Sequence, residues 1–273
     1  MESKILIYDD NCPLCTWYSG LFVKYGFLNP DGRKPFSTLD NELLSKIDFD
    51  KSRNEIPLVD TTSNEVLYGI DALLEILDQK IPLIKTTGNL APLKWVLKRI
   101  YKLVSFNRKV IVARKCGQGN IDCSPDTNYV YRFIFMIVCL SFNTAMLYPF
   151  QSTLFSKLSY YHLTLYQLQA AHFCFVMINC ILAFSFSKAE GYEYLGQVNI
   201  LALSAVLLLT PLLLMNYFFF AEWFSTAWLV IVSAVVFKEY ARRMEFAGVL
   251  SNNKWIVSLN FLSLAGFLLF LFH

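Results

Sequence analysis

The chain has 273 residues, of which 55% are hydrophobic and 16% charged, with a mean hydropathy of +0.42. That balance excludes an ordinary soluble protein, and a formal net charge of only +3 gives no basis for binding nucleic acid. The charge is concentrated in the first half, and Phe, Leu, Ile, Val and Tyr dominate after Val130. A soluble domain followed by a membrane domain is therefore expected. The chain enters a strand pattern at once, without the basic and apolar regions of a secretory signal peptide. Seven cysteines is an odd count, so not all of them are in intramolecular disulfides.

Ile5-Leu6-Ile7-Tyr8 is a short, apolar, β-branched run and reads as a buried strand. Trp17, Leu21, Phe22 and Tyr25 fall at helical spacing, and Gly26 stops that helix. Between them lies Cys12-Pro13-Leu14-Cys15, where a strand hands over to a helix. The first helical turn has unpaired N–H groups and the positive end of the dipole, which favour a thiolate. Asn11 or Asp10 is expected to cap this helix, with Pro13 in its first turn. This predicts an exposed attacking thiolate at Cys12 and a resolving thiol at Cys15. Cys-x2-Cys is equally a half-site for zinc, although the strand and helix flanks favour a redox pair.

Asn29-Pro30-Asp31-Gly32 is a turn, followed by a predicted strand over 34–39 and a helix over 41–47. A strand over 55–60 is entered through Pro57 and pairs with 65–69 across a turn at 61–64. A helix over 70–77 follows. The order βαβα, then ββα, is that of a thioredoxin fold, with right-handed crossovers. Pro57, across the sheet from the dithiol, stands where thioredoxin-like proteins hold a cis proline that pairs with an extended substrate. An ordinary trans proline at a strand start is the alternative.

Tyr8-Asp9-Asp10-Asn11-Cys12-Pro13-Leu14-Cys15 resembles the signature of the DCC thiol-disulfide oxidoreductase family, with Asp three positions before Cys-x2-Cys. Asp9 fills that position, while Asp10 stands where the family commonly has Gly. Gly69-Ile70-Asp71-Ala72-Leu73-Leu74, the segment 101–108 ending Phe106-Asn107-Arg108, and Cys123-Ser124-Pro125 resemble later parts of the family pattern. The resemblance covers about residues 5 to 125 and implies a thioredoxin-like fold and disulfide exchange. Asp9 then either orients the active-site turn or accepts a proton from Cys15; a plain turn-forming carboxylate is the other reading.

Residues 92–115 read as a basic helix, with Leu93, Leu97, Ile100, Tyr101 and Val104 on one face and Lys94, Lys98, Arg99 and Lys102 elsewhere. Such a helix lies on an anionic lipid surface or packs on the soluble domain. Cys116 and Cys123 close a glycine-bearing loop. Three readings stand for them: a redox relay with Cys12 and Cys15, a shared zinc site, or two unpaired thiols beside the membrane.

Five candidate spans follow, at 131–148, 163–186, 198–217, 219–237 and 255–272. Lys238, Arg242, Arg243 and Lys254 form one basic cluster, and Arg108, Lys109, Arg114, Lys115 and Arg132 another. Both fall on one side, so the positive-inside rule predicts a cytoplasmic N-terminal domain. Cys139, Cys174 and Cys180 within spans read as packing residues. His172, also within a span, reads as a histidine hydrogen-bonded across the bundle, or else as a quinone or proton site.

The expected architecture is an α/β thioredoxin-like domain (1–90), a basic neck (91–128) and an all-α transmembrane helical bundle (129–273). The expected function is a membrane-anchored thiol-disulfide oxidoreductase using Cys12 and Cys15, with Asp9 and Pro57 in the site. No cofactor or resident metal is called for under this reading. Partners are a protein or small-molecule disulfide or thiol, the lipid bilayer, and a membrane redox partner. The competing expectation is a non-enzymatic membrane protein with a cysteine metal site or a partner-docking domain.

Overall fold

The computed structural model describes residues 3–113 and 125–272. The chain divides into two compact units, Met1–Arg132 and Phe133–His273.

The first unit carries β1 (Lys4–Tyr8), α1 (Pro13–Lys24), β2 (Arg33–Pro35), α2 (Asn41–Lys46), α3 (Phe49–Asn54), β3 (Pro57–Asp60), β4 (Val66–Tyr68), α4 (Gly69–Leu77), α5 (Ile84–Gly88) and α6 (Ala91–Val112). The sheet order is β2-β1-β3-β4. β1 runs parallel to β2 with Leu6 opposite Arg33, and antiparallel to β3 with Ile5 opposite Val59. β3 and β4 are antiparallel, with Leu58 opposite Leu67. This is the thioredoxin topology expected from the element order.

Side chains alternate across a strand, and here both faces are covered. Leu6 and Leu58 face one core with Leu28, Ala72 and Ile76, against which Tyr18, Phe22 and Tyr101 pack. Ile7 and Val59 face the other, with Phe36, Leu43 and Ile47. A strand buried on both faces needs a continuous apolar run, which is what 5–7 and 56–59 supply.

The predicted second strand is shorter than expected. It stops at Pro35, and Phe36–Thr38 forms a 3-10 turn that turns Phe36 into the core. α1 ends as expected, with Gly26 at φ +67 just beyond it.

Gly69 joins β4 to α4 at φ +58, and its N–H donates to the Ile56 carbonyl at 2.9 Å. A Cβ there would lie 3.1 Å from both Glu55 Oε2 and Tyr101 Cε1. Gly69→Ala is expected to cost about 1–2 kcal/mol, from left-handed backbone strain. Comparing thermal unfolding of the first unit in the two full-length chains checks this; an unchanged midpoint would contradict it.

α6 turns the opposite way from the sequence reading. Lys94 and Lys98 reach Asp71 at 2.6 and 3.6 Å, and Lys102 reaches Glu55 at 3.5 Å. The basic side thus meets acidic groups of the domain, while Leu93, Trp95, Val96, Ile100 and Val104 are exposed. A polar stripe at 101, 105 and 108 makes the inner contacts. The Tyr101 hydroxyl accepts from Ile56 N–H at 2.9 Å, the Ser105 hydroxyl donates to the Asn54 carbonyl, and Arg108 Nη2 donates to the Arg53 carbonyl at 2.8 Å. The spacings of four and three residues place all three on one helical face.

The second unit holds most of α7 (Tyr129–Thr153), then α8 (Leu165–Ala183), α9 (Lys188–Phe218), α10 (Glu222–Phe246), α11 (Val249–Asn252) and α12 (Lys254–Phe272). Among the described residues, four helices are long and apolar enough to cross a membrane: α7 with the turn that extends it to Lys157, α8, α9 and α10. α12 covers the fifth predicted span, and several of its later side chains lie outside the described residues. Several polar groups inside the bundle pair with each other, which a medium without water favours. Tyr194 donates to Asn179 Oδ1 at 2.5 Å, and Asn260 Nδ2 donates to the hydroxyls of Tyr194 and Tyr240 at 3.0 Å each. Arg243 Nη1 donates to Gln197 Oε1 at 2.6 Å. His172 bonds across the bundle to Thr144 Oγ1 at 3.1 Å, as expected.

Candidate active site

The β1–α1 turn is closed by Asp9. Its carbonyl accepts from Cys12 N–H at 3.2 Å, and its Oδ1 accepts from Asn11 N–H at 3.0 Å. The carboxylate therefore builds the turn that presents the dithiol. Neither Asp10 nor Asn11 caps α1. Cys12 itself holds the N-cap position in extended backbone, with Pro13 first in the helix. The tight Asp9 turn moves the cap one residue past Asn11.

Both cysteines are free thiols. Their sulfurs and an Asp9 carboxylate oxygen lie within 4.8 Å of one another. The exposed thiol expected at Cys12 is not found: Cys12 is 8% exposed and Cys15 3%. The end of α6 brings Arg108 onto the same turn, 93 residues beyond Cys15. Arg108 Nη1 lies 3.9 Å from Cys15 Sγ, and its Nη2 lies 3.6 Å from Asp9 Oδ2. Asp9 and Arg108 are themselves buried.

This geometry separates the two thiols. Cys12 makes no full capping hydrogen bond with its side chain. The Cys15 thiol and amide nevertheless favour its anion, and with Arg108 they outweigh burial and Asp9, bringing its pKa from the ordinary 9.0 to about 7. Cys15 is driven the other way, because it donates to Cys12 and is desolvated; Arg108 opposes this. Burial raises Asp9 above the usual carboxylate range despite Arg108. Burial also raises Tyr18, whose hydroxyl faces Cys15.

Pro57 opens β3, opposite Tyr68, and is buried. Its bond is trans: there is no cis peptide among the described residues. The strand tolerates this because Pro57 is its first residue, and the Ile56 N–H before it is met by Tyr101. Cys116 and Cys123 lie outside the described residues, as does Cys123-Ser124 of the closing motif.

The segment that holds the paired thiols and the Asp9 turn has a counterpart among known proteins. Residues 6–114 match the DCC1-like thiol-disulfide oxidoreductase family. The match confirms the resemblance read from the first motif. The DCC1-like segment runs from β1 to the end of α6, and so contains Asp9, Cys12, Cys15 and Arg108. It stops short of Cys116 and Cys123. No curated protein and no solved structure matches the chain.

Sequence reasoning placed Arg108 only in a family-like segment and a basic cluster. Its partnership with the dithiol was foreshadowed by the spacing of Tyr101, Ser105 and Arg108, a polar stripe on an otherwise mixed helix.

Proposed function

We propose that this protein is a membrane-anchored thiol-disulfide oxidoreductase, with Cys12 as nucleophile and Cys15 as resolving thiol. The observation that carries this is a pair of free thiols within one helical turn, their sulfurs and an Asp9 oxygen within 4.8 Å of one another and Arg108 3.9 Å from Cys15. That arrangement lowers the Cys12 pKa and raises that of Cys15. The Cys12 thiolate attacks one sulfur of a protein or small-molecule disulfide. That S–S bond breaks, the far sulfur leaves as a thiolate, and a mixed disulfide forms. Cys12 has then lost its negative charge, so Cys15 no longer gains by donating to it. Arg108, beside Cys15, now favours the Cys15 thiolate, and Asp9, with its raised pKa, accepts the proton. Cys15 attacks Cys12 and the second substrate sulfur leaves. Two electrons pass to the substrate, and a Cys12–Cys15 disulfide remains.

Asp9, Cys12 and Cys15 also offer three metal-ligand atoms. A guanidinium 3.6 Å from one of them and 3.9 Å from another works against a cation there, and zinc ordinarily takes four ligands in a structural site. Exchange is therefore the reading the site supports better.

The four apolar helices support anchoring in a bilayer. The exposed apolar side of α6 also suits contact with lipid. The basic residues before α7 and after α10 are separated by four spans and so share a side. The positive-inside rule makes that side, with the thiol domain, cytoplasmic. Cys116 and Cys123 remain candidates for a relay to a membrane redox partner.

Cys15→Ala removes the resolving thiol and leaves Cys12. Under mild oxidation the variant is expected to accumulate a covalent adduct through Cys12, detected as a mass shift reversed by reductant. Failure to form any adduct, with Cys12 still open to alkylation, would overturn the exchange mechanism.

A further inference from the structure

The second unit contains a cavity of about 610 Å³ walled by α7, α8 and α9. Its size falls in the range of small-molecule sites. The wall is mainly apolar and aromatic, with Phe133, Phe175 and Phe184 among its residues. Its polar members include Asn143 of α7 and His172 of α8, both near the middle of their spans.

Asn143 is 3% exposed, and its Oδ1 has no hydrogen-bond partner among the described residues. Asn179, another buried amide of this unit, accepts the Tyr194 hydroxyl on its Oδ1 at 2.5 Å. An unmet amide oxygen inside a membrane is costly, which points to a missing partner. His172 is set up beside it. Thr144 donates its hydroxyl to the Leu140 carbonyl at 2.9 Å, so its oxygen accepts from His172 Nε2–H. The ring then carries its proton on Nε2, and Nδ1 is left as an acceptor.

We infer that this cavity binds a lipid-soluble quinone, in its oxidised or reduced form. Asn143 lies about 21 Å along α7 from Tyr129 and about 15 Å from Thr153, at a rise of about 1.5 Å per residue. Phospholipid headgroups stay at the membrane surface, so a polar contact at this depth selects a ligand whose polar atoms travel with an apolar body. A quinone meets each requirement. Its flat ring meets Phe175, one turn from His172, while its apolar tail runs toward Phe133 and Phe184. Its carbonyl accepts from the Asn143 amide, and the hydroxyls of its reduced form donate to Asn143 Oδ1 and His172 Nδ1. The inference concerns binding alone and does not depend on thiol exchange.

The test uses the full chain in phosphatidylcholine nanodiscs and a photoreactive azido-benzoquinone carrying a decyl tail. Saturable labelling is expected in peptides from α7 and α8, competed by unlabelled decyl-benzoquinone and not by excess phospholipid. Asn143→Leu replaces the amide with an apolar side chain of similar size and should weaken labelling at least tenfold. Ala202→Phe, from the α9 wall, keeps the amide and fills the space, and should weaken labelling likewise. Helicity and alkylation of Cys12 should stay unchanged in both variants. Labelling that does not saturate, competition by phospholipid alone, or full labelling of both variants would overturn the inference.

Discussion

Cys12→Ser is expected to abolish disulfide exchange, with a loss on the order of 1,000-fold or more, because a serine oxygen is not ionised near neutral pH. The full chain in detergent, turning over a peptide disulfide, gives the measurement. Activity that survives in Cys12→Ser with Cys15 intact would assign the wrong nucleophile. The pH dependence follows from the same thiol. With a pKa of about 7, the rate of Cys12 alkylation should rise as pH rises through 7 and level off above it. At pH 7 about half of Cys12 is thiolate, against about 1% for an ordinary thiol at 9.0. A lower pKa also weakens a thiolate as a nucleophile, by roughly tenfold over two units. The first effect is about fifty-fold, so ionisation wins and the net gain is about fivefold. The lowered pKa therefore matters mainly for which thiol attacks. Cys15, pushed the other way, contributes almost no thiolate until Cys12 is bonded.

The parts of this molecule that could be read in advance depend on neighbours in sequence. The run at 5–8, the glycine at 26 and the helix over 70–77 carry their periods and stops within a few residues, and each became the expected element. α3 and α5 carry one large apolar residue each, Phe49 and Ile84, so no apolar spacing marks them, whereas α2, equally short, has Leu43 and Leu44. α3 did leave a local sign, since Asp48 caps it by accepting from Lys51 N–H at 3.0 Å. The orientation of α6 was not legible. Its lysines turn inward to Asp71 and Glu55, and that choice belongs to residues 23 to 47 positions away. Arg108 is a similar case: it reaches the dithiol from α6, 93 residues beyond Cys15. The dithiol and its turn were thus readable, and so was the Cys12–Cys15 pairing that contributes most to their charge; the guanidinium that adds to it left only the spacing of 101, 105 and 108 as a sign.

Arg108→Met tests that distant group and is expected to act on both reactivity and stability. Arg108 lowers the Cys12 pKa and opposes the rise at Cys15. Its loss should move the midpoint of Cys12 alkylation upward from about 7, toward the ordinary 9.0, so the variant reacts more slowly at neutral pH. Removing one partner of a buried ion pair typically costs about 3–5 kcal/mol, because the other charge is stranded. Here Asp9 can relieve part of that cost by taking a proton, and the pH dependence exposes this. Asp9 already has a folded-state pKa above 3.8, and without Arg108 it rises further. Between the unfolded and folded pKa the native state holds a proton that the unfolded state has released, so stability falls as pH rises. The deficit of Arg108→Met relative to the parent should therefore be smallest near pH 4 and larger at pH 7.5. Hydrogen exchange of first-unit peptides during thermal unfolding of the full chain, parent against variant at each of the two pH values, measures it. A deficit independent of pH would mean that Arg108 holds α6 only through the Arg53 carbonyl and packing. A deficit that grows with pH, together with the shifted alkylation midpoint, would assign it the electrostatic control of the dithiol.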